Sequence, residues 1–363
     1  MSTLLIIAGG TGGHVFPALA IAEVLRHQGV TVTWLGTRQG LEAKVVPAAG
    51  IAFDWLTIRG LRRSGIVAWL LLPWRLAVAL WQSWRVLRRR RPQAVLAMGG
   101  FVAGPGGLVA WLARTPLLIH EQNAVAGLTN RCLAWVADVV MSGFPQAFGA
   151  QPGVRHVGNP VRAEIVQLPA PTERLAGRPG ALRVLVVGGS RGAQVFNRVL
   201  PQALTLIKPE WRPELWHQAG RGQADTVTRA YTSASGGARV SEFIDDMAAA
   251  YAWADVIVCR AGAMTLAEVT AAGLAAVLVP YPYATDDHQT VNAGFLVERD
   301  AAILVPEAEF NAARVAGLLE SFAGQREVLV KMANHARACA MPDAADAAAQ
   351  LCLEAMSGGG AHA

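Results

Sequence analysis

One opening occurs twice in this chain, and it constrains the fold more than anything else. Residues Leu4 to His14 read LLIIAGGTGGH, and residues Val184 to Gln194 read VLVVGGSRGAQ. Each is an apolar run too short for a helix, followed by a glycine-rich turn and then a helical pattern. That is the strand–turn–helix entry of a parallel α/β unit. Two copies in 363 residues predict two doubly wound domains in tandem. Other strand candidates fit the same alternation: Val30–Leu35, Ala94–Met98, Leu117–His120 and Val139–Ser142 in the first half, Leu215–His217, Val256–Cys259 and Ala276–Pro280 in the second. Residues 167–181, rich in Pro, Gly and charge, read as the linker. Ligands of open α/β sheets bind beyond the carboxyl ends of the strands. The expected site is therefore a cleft between the domains.

Composition narrows the class. Hydrophobic residues are 53% and charged residues 16%, enough apolar material for large cores or for a membrane protein. A spanning helix needs about 18 uninterrupted apolar residues. The best stretch, Gly65 to Leu87, is broken by Pro73, Arg75 and Arg85. The start has no basic leader or cleavage site, so a cytoplasmic protein is expected. Cys132, Cys259, Cys339 and Cys352 are scattered and read as buried thiols, not a disulfide frame or a zinc site.

The net charge of +6 is unevenly spread. Between Trp55 and His120 there are ten arginines and no acid, so the rest of the chain carries four net negative charges. The same segment holds six of the eleven tryptophans. A local cationic surface implies an anionic partner: phosphate, anionic lipid or nucleic acid. Trp69, Trp74, Trp81 and Trp84 lie among leucines, and positions 74, 77, 81 and 84 share a helical face with arginines beside and after it. That describes a helix lying in a membrane interface. A core helix with a solvated arginine tail fits the same letters. Nucleic-acid binding fits worst, because a leucine-rich surface would then have no purpose.

The glycine-rich turns carry the chemistry. In Gly9-Gly10-Thr11-Gly12-Gly13-His14, backbone N–H groups can approach a phosphate at a helix N-terminus. The dinucleotide fingerprint fails at Val15, and the second strand ends in Gly36-Thr37 without an acid. A tight turn with no ligand is the bland alternative. His14 is placed to remove a proton from a sugar hydroxyl, or only to cap the helix or bind phosphate. Gly99 to Gly107 is a second glycine cluster, and His120-Glu121-Gln122-Asn123 closes a strand with four polar groups, Glu121 possessing a capping alternative. In the second half, Gly188 to Gly192 repeats the loop with Ser190 added. Gly262 to Thr265 opens another helix, with Glu268 one turn on to meet a ribose diol. The pair Thr265 and Glu268 also fits a capping box. Asp286-Asp287-His288-Gln289 suits a sugar-binding loop better than a metal site.

Together these strings resemble the MurG family of peptidoglycan glycosyltransferases over almost the whole chain. The resemblance rests on GGTGGHVFPALA (9–20), GGFVAGPGG (99–107), HEQNAVAGLTN (120–130), VGNPVR (157–162), VVGGSRGAQ (186–194), residues 242–268 and DDHQTVNA (286–293). It implies the α/β GT-B fold, two Rossmann-like domains with an interdomain cleft. Residues 1–163 would bind acceptor and membrane and residues 164–340 the UDP-sugar, with 341–363 forming a helix that returns to the first domain and a disordered tail. It implies inverting transfer of N-acetylglucosamine from UDP-N-acetylglucosamine to a lipid-linked muramyl-pentapeptide, at the cytoplasmic face of the inner membrane. The partners are those two substrates and an anionic membrane surface, with no nucleic acid, cofactor or metal.

The resemblance also assigns roles. His14 would be the base, with Thr11, Gly12 and Gly13 near the donor sugar and the acceptor diphosphate. Asn123 would contact the donor sugar, Arg162 and Ser190 the nucleotide diphosphate, and Ile244 the uracil through its backbone. Ala263, Met264, Thr265, Leu266, Ala267 and Glu268 would hold diphosphate and ribose, and Gln289 the sugar hydroxyls. Ala261 and Ala267 stand where some relatives have serine, which affects side-chain contacts only. A UDP-N-acetylglucosamine 2-epimerase and a non-enzymatic membrane scaffold are the rivals.

Overall fold

A computed structural model describes residues 2–57, 71–175, 177–189, 192–234 and 237–358. The chain divides into two compact units, Met1–Val161 with Met341–Ala363, and Arg162–Ala340. Each is built on one all-parallel sheet.

In the N-terminal unit the strands are β1 (Thr3–Ile7), β2 (Thr31–Thr37), β3 (Ala52–Leu56), β4 (Ala94–Ala97), β5 (Leu117–Glu121), β6 (Val139–Ser142) and β7 (Arg155–His156). Their spatial order is β3-β2-β1-β4-β5-β6-β7. β1 pairs on one side with β2 and on the other with β4, in register Ile7 to Leu35 and Ile7 to Ala97. The order reverses between β1 and β4, so the helices after them leave on opposite faces and their turns border one crevice. The strands read as unbroken apolar runs because both faces are covered. One face packs Leu4, Ile6, Trp34 and Leu96 under the Gly12–His27 helix, with Ile21 and Leu25 fully buried. The other packs Leu5, Ile7, Val95 and Ile119 under the Leu72–Arg90 and Ala103–Leu112 helices. The last helix, Ala344–Met356, lies on Gly12–His27, where Ala348, Ala349, Cys352 and Ala355 join the first core.

In the C-terminal unit the strands are β8 (Arg183–Val187), β9 (Glu214–Gln218), β10 (Ala238–Ser241), β11 (Val256–Cys259), β12 (Ala275–Leu278) and β13 (Ala302–Leu304). Their order is β10-β9-β8-β11-β12-β13, with the same reversal between β8 and β11. One core joins Val184, Val186, Val256 and Val258 to Phe196, Leu200 and Leu319.

Several expectations need correction. Residues 167–181 are not a free linker but part of the second unit. Arg174 donates to the carbonyls of Pro169, Tyr251, Ala272 and Gly273. Arg178 donates to Trp253 O at 2.7 Å and Asp255 Oδ1 at 3.0 Å. Composition hid this because arginine looks solvated in sequence even when it satisfies buried carbonyls. Cys132 is exposed and Cys339 half-buried; only Cys259 and Cys352 are buried thiols. Strands β3, β7, β10 and β13 were not foreseen. All four are sheet edges, and β7 and β13 span two and three residues, too few for a period to register.

The buried His217 on β9 lies with Nδ1 2.7 Å from the Tyr231 hydroxyl. Burial pushes its imidazole down to about 4 from 6.5. The folded state therefore binds fewer protons than the unfolded chain between those values, and stability falls as pH drops through that window. His217→Phe is expected to flatten the acid dependence of the second unit's urea midpoint between pH 6.5 and about 4. An unchanged slope would show that His217 does not drive acid loss.

Candidate functional site

Both switch points carry glycine turns. In the N-terminal unit the turns after β1 and β4 meet: a Cβ at Gly100 would stand 3.0 Å from Gly9 O, and Gly100 has φ +77°. Thr11 is the N-cap of Gly12–His27 in extended conformation, so Gly12 and Gly13 are the first helical residues. Their N–H groups have no intrahelical acceptor. The His14 ring packs against the second turn; a Cβ at Gly99 would lie 3.3 Å from His14 Nε2. Thr11 Oγ1 is 3.1 Å from His14 Nδ1. Burial lowers the pKa of His14, opposed by the charges of Glu121 and Glu42 and by a hydrogen bond with the Gly9 backbone. The imidazole is neutral at neutral pH.

The polar run after β5 sorts into separate duties. His120 is fully buried, with Nε2 2.9 Å from Gly158 O and Nδ1 3.1 Å from Gln122 Nε2. Burial takes its pKa to about 4. A carbonyl can only accept, so Nε2 carries the proton and Nδ1 accepts from the Gln122 amide. Glu121 accepts from Asn123 N, Asn123 Nδ2, Gly127 N and Asn130 Nδ2 at 2.9–3.2 Å. Its bond to Gly127, the N-cap of Leu128–Leu133, includes the capping role, but it also fixes Asn123. His120 and Glu121 therefore build the loop, and Asn123 is the group it presents.

Glu42 escaped the sequence reading. It lies five residues beyond β2, fully buried, and accepts from Gly10 N, Thr37 N and Thr37 Oγ1. No acid stands at the strand end itself; Glu42 opens the short Glu42–Ala48 helix two residues after Gly40, and that position was its only signal.

In the C-terminal unit the Ala263–Ala272 helix starts from Gly262, whose φ −71° and ψ 139° make it the N-cap without a side-chain bond. The capping box of Thr265 and Glu268 is thus absent: the helix begins two residues before Thr265. Ala263, Met264 and Thr265 supply the first-turn N–H groups, and Leu266 and Ala267 continue the helix. Glu268 instead accepts from Tyr251 Oη at 2.9 Å and Arg162 Nη2 at 3.3 Å. Burial raises its pKa, and Arg162 and the Tyr251 hydrogen bond oppose that. Ile244 is buried just ahead of the Met247–Trp253 helix that carries Tyr251. Gln289 Oε1 accepts from Tyr281 N at 2.9 Å, leaving its NH2 to offer. The neighbouring Asn292 Nδ2 reaches Ala261 O at 3.1 Å and ties that helix to the turn after β11. Arg260 donates to Val279 O and Pro280 O and pairs with Glu307, a clasp on the β12 loop that sequence did not reveal. Ser190 lies outside the described residues. On either side of it, Gly192 N donates to Gly189 O at 2.8 Å. A groove of about 800 Å³ lined by Arg198, Pro282, Thr290 and Phe310 contains none of the expected residues.

In the Trp/Arg segment, Trp69 lies outside the described residues. Trp74 and Trp81 are 71% and 58% exposed, with Ala77 and Trp84 exposed on the same face; Ala79, Ser83, Val86 and Leu87 are buried on the other. The core-helix alternative therefore fails for the tryptophans. Arg85 and Arg88 stack over Trp81 and Trp84. Arg89, still exposed, and half-buried Arg90 both pair with Asp54. Among the described residues no helix is long and apolar enough to cross a membrane.

Two doubly wound parallel sheets with glycine turns at both switch points form the GT-B architecture, and the family models make this chain a glycosyltransferase. The chain belongs to glycosyltransferase family 28, whose N-terminal domain model matches residues 4–142 and whose C-terminal domain model matches residues 183–350. A relative in Nitrosococcus oceani is 51% identical over 98% of this chain and 99% of its own, and is named UDP-N-acetylglucosamine--N-acetylmuramyl-(pentapeptide) pyrophosphoryl-undecaprenol N-acetylglucosamine transferase. The crystal structure of Acinetobacter baumannii MurG superposes with TM-score 0.84 at 38% identity, covering 98% of this chain and all of that one. A UDP-GlcNAc 2-epimerase from Neisseria meningitidis shares the fold alone, with TM-score 0.68 at 14% identity over 98% of this chain and all of its own.

The Tyr251 hydroxyl stabilises ionised Glu268, so Tyr251→Phe is expected to raise the Glu268 titration midpoint. Carboxyl-carbon NMR, assigned with Glu268→Gln, reads it; an unchanged or lower midpoint refutes the arrangement.

Proposed function

We infer that this enzyme transfers N-acetylglucosamine from UDP-N-acetylglucosamine to the 4-hydroxyl of the muramyl sugar of undecaprenyl-diphospho-muramyl-pentapeptide, with inversion, in peptidoglycan synthesis. The observation that carries this reading is the near-full-length identity with the Nitrosococcus oceani transferase. The reading gives the acceptor to the N-terminal unit and the donor to the C-terminal unit. His14 is the base in a single displacement. With its proton on Nδ1 facing Thr11, Nε2 keeps the lone pair that removes the acceptor proton. Thr11, Gly12 and Gly13 line the acceptor diphosphate and donor sugar, and Asn123, steadied by Glu121, contacts the donor sugar. Negative charge growing on the departing diphosphate meets Arg162, Ser190 and the first-turn N–H groups of the Ala263–Ala272 helix. Ile244 meets uracil through its backbone, Glu268 the ribose hydroxyls and Gln289 the sugar hydroxyls. The exposed tryptophan face supports a peripheral place on the anionic cytoplasmic face of the inner membrane, because an enzyme of soluble substrates, such as an epimerase, has no use for it.

Two variants separate the roles. His14→Ala is expected to lower kcat by about 10² to 10⁴ with UDP affinity intact. Glu268→Ala is expected to weaken UDP binding by about 1–3 kcal/mol. Calorimetry and initial rates decide. Lost UDP affinity in His14→Ala makes His14 a binding residue, and unchanged affinity in Glu268→Ala removes Glu268 from the site.

For the membrane face, binding to anionic vesicles is expected to weaken with salt without vanishing. Screening shortens the Debye length to about 3 Å near 1 M and spares apolar insertion. Replacing Trp74, Trp81, Arg85 and Arg88 together by neutral polar residues is expected to abolish binding in a sedimentation assay while transfer to a short-chain acceptor persists. Undiminished binding by that variant would place the contact elsewhere.

A further inference from the structure

We propose that Glu42 is a positioning residue for His14: a buried carboxylate that ties the end of β2 to the β1 turn and so fixes the start of the helix that carries the imidazole. The geometry is that of a built cradle. Oε1 accepts Thr37 N at 3.0 Å and Thr37 Oγ1 at 2.6 Å, and Oε2 accepts Gly10 N at 3.1 Å. Three glycines, one in the turn after β1, one near the end of β2 and one just beyond it, make room for the carboxylate. A Cβ at Gly9 would stand 2.5 Å from Oε1, one at Gly36 2.7 Å from Cγ, and one at Gly40 would overlap Oε2. A side chain at any of the three would expel the acid. The N–H of Gly10 is therefore already committed, and only Gly12 and Gly13 keep first-turn donors for a ligand.

The charged groups acting on His14 are Glu42 from the β2 side and Glu121 at the end of β5. The Gly99–Gly100 turn, Asn130 and Thr11, which complete the surroundings, carry no charge. Both carboxylates favour the imidazolium, and burial opposes them and prevails. Glu121 is saturated by four donors that fix its own loop. Glu42 holds the turn from which the His14 helix starts, so one side chain fixes the ring's position and adds to the field of Glu121, the larger of the two charges acting on it. Removing its charge while keeping its shape makes His14 less basic.

The NMR arm of the test needs only the fold, while the kinetic arm rests on His14 being the base. Imidazole titrations are recorded on full-length protein, with His14→Gln for assignment, in Glu42→Gln and Thr37→Val. Glu42→Gln is expected to move the His14 midpoint to lower pH, and the acid limb of kcat/KM should move with it by the same amount. Thr37→Val removes one donor from the carboxylate and leaves its charge less shielded, so the midpoint is expected to rise. An unchanged or higher midpoint in Glu42→Gln overturns the proposal. If that variant does not fold, a lower midpoint in Thr37→Val overturns it instead. A midpoint that falls while the acid limb stays fixed upholds Glu42 and removes His14 as the base.

Discussion

The reversal of strand order beside β1 is the constraint on which the N-terminal site depends. Because β2 and β4 flank β1, the turns after β1 and β4 start side by side and leave toward opposite faces. Gly9 O and the Gly100 backbone come so close that a side chain at Gly100 would press on the carbonyl, and the left-handed φ there adds strain for any other residue. That contact is what brings the His14 ring, rooted in one turn, against Gly99 of the other. The C-terminal sheet has the same reversal between β8 and β11, but there the close approach is to the other neighbour, with Gly192 after β8 against the Ala219 carbonyl after β9.

Buried Glu42 and Glu121 hold the N-terminal turns, and partly buried Glu268 ties the Met247–Trp253 helix to the Ala263–Ala272 helix. Glu42, Glu121 and Glu268 are each met by at least two donors, as burial of a carboxylate requires. Hydrogen bonds to charged groups are worth about 1.5–3 kcal/mol each, more than neutral ones, so a single carboxylate can fix a loop that has little apolar surface of its own. The geometry separates their duties from that of His14. Glu121 is fully engaged by its own loop, and Glu42 by the first turn and Thr37. His14 has Nε2 beside the Gly99 turn, with the Asn130 amide close to the same position.

Much of the architecture was legible because parallel strands covered on both faces are unbroken apolar runs. Val139–Ser142 and Val256–Cys259 could be read to the residue, and β1 and β8 were marked by the glycines after them. Edge strands were not legible, since β7 and β13 are too short to show a period. Of the site, the turns and His14 were visible because their residue types are unusual at strand ends. Glu42, Tyr251 and Arg260 were invisible because each acts from a different element on a residue far along the chain, a relation that spacing cannot encode. The capping box of Thr265 and Glu268 misled for a related reason. Its letters were right, but the helix start was set by Gly262, and Glu268 was claimed by Tyr251 and Arg162.

The Leu72–Arg90 helix shows packing and function pulling apart. Its small and branched residues, Ala79, Ser83, Val86 and Leu87, face the core, while its largest apolar side chains stay outside. A tryptophan can bury roughly 150–250 Å², and apolar burial yields about 25 cal/mol per Å², so each ring left in solvent forgoes several kcal/mol. The helix packs on Ala103–Leu112, which packs on Leu128–Leu133, and those elements add exposed Trp111, Leu112 and Leu128. Three packed elements thus each carry exposed large apolar residues, the kind of surface that a single scattered residue does not make. Arg89 and Arg90 stay tied to Asp54, while Arg85 and Arg88 lie over the tryptophan rings, where their charge travels with the apolar face. A surface that joins unsatisfied aromatic area to cations suits an interface that is apolar within and anionic at its boundary.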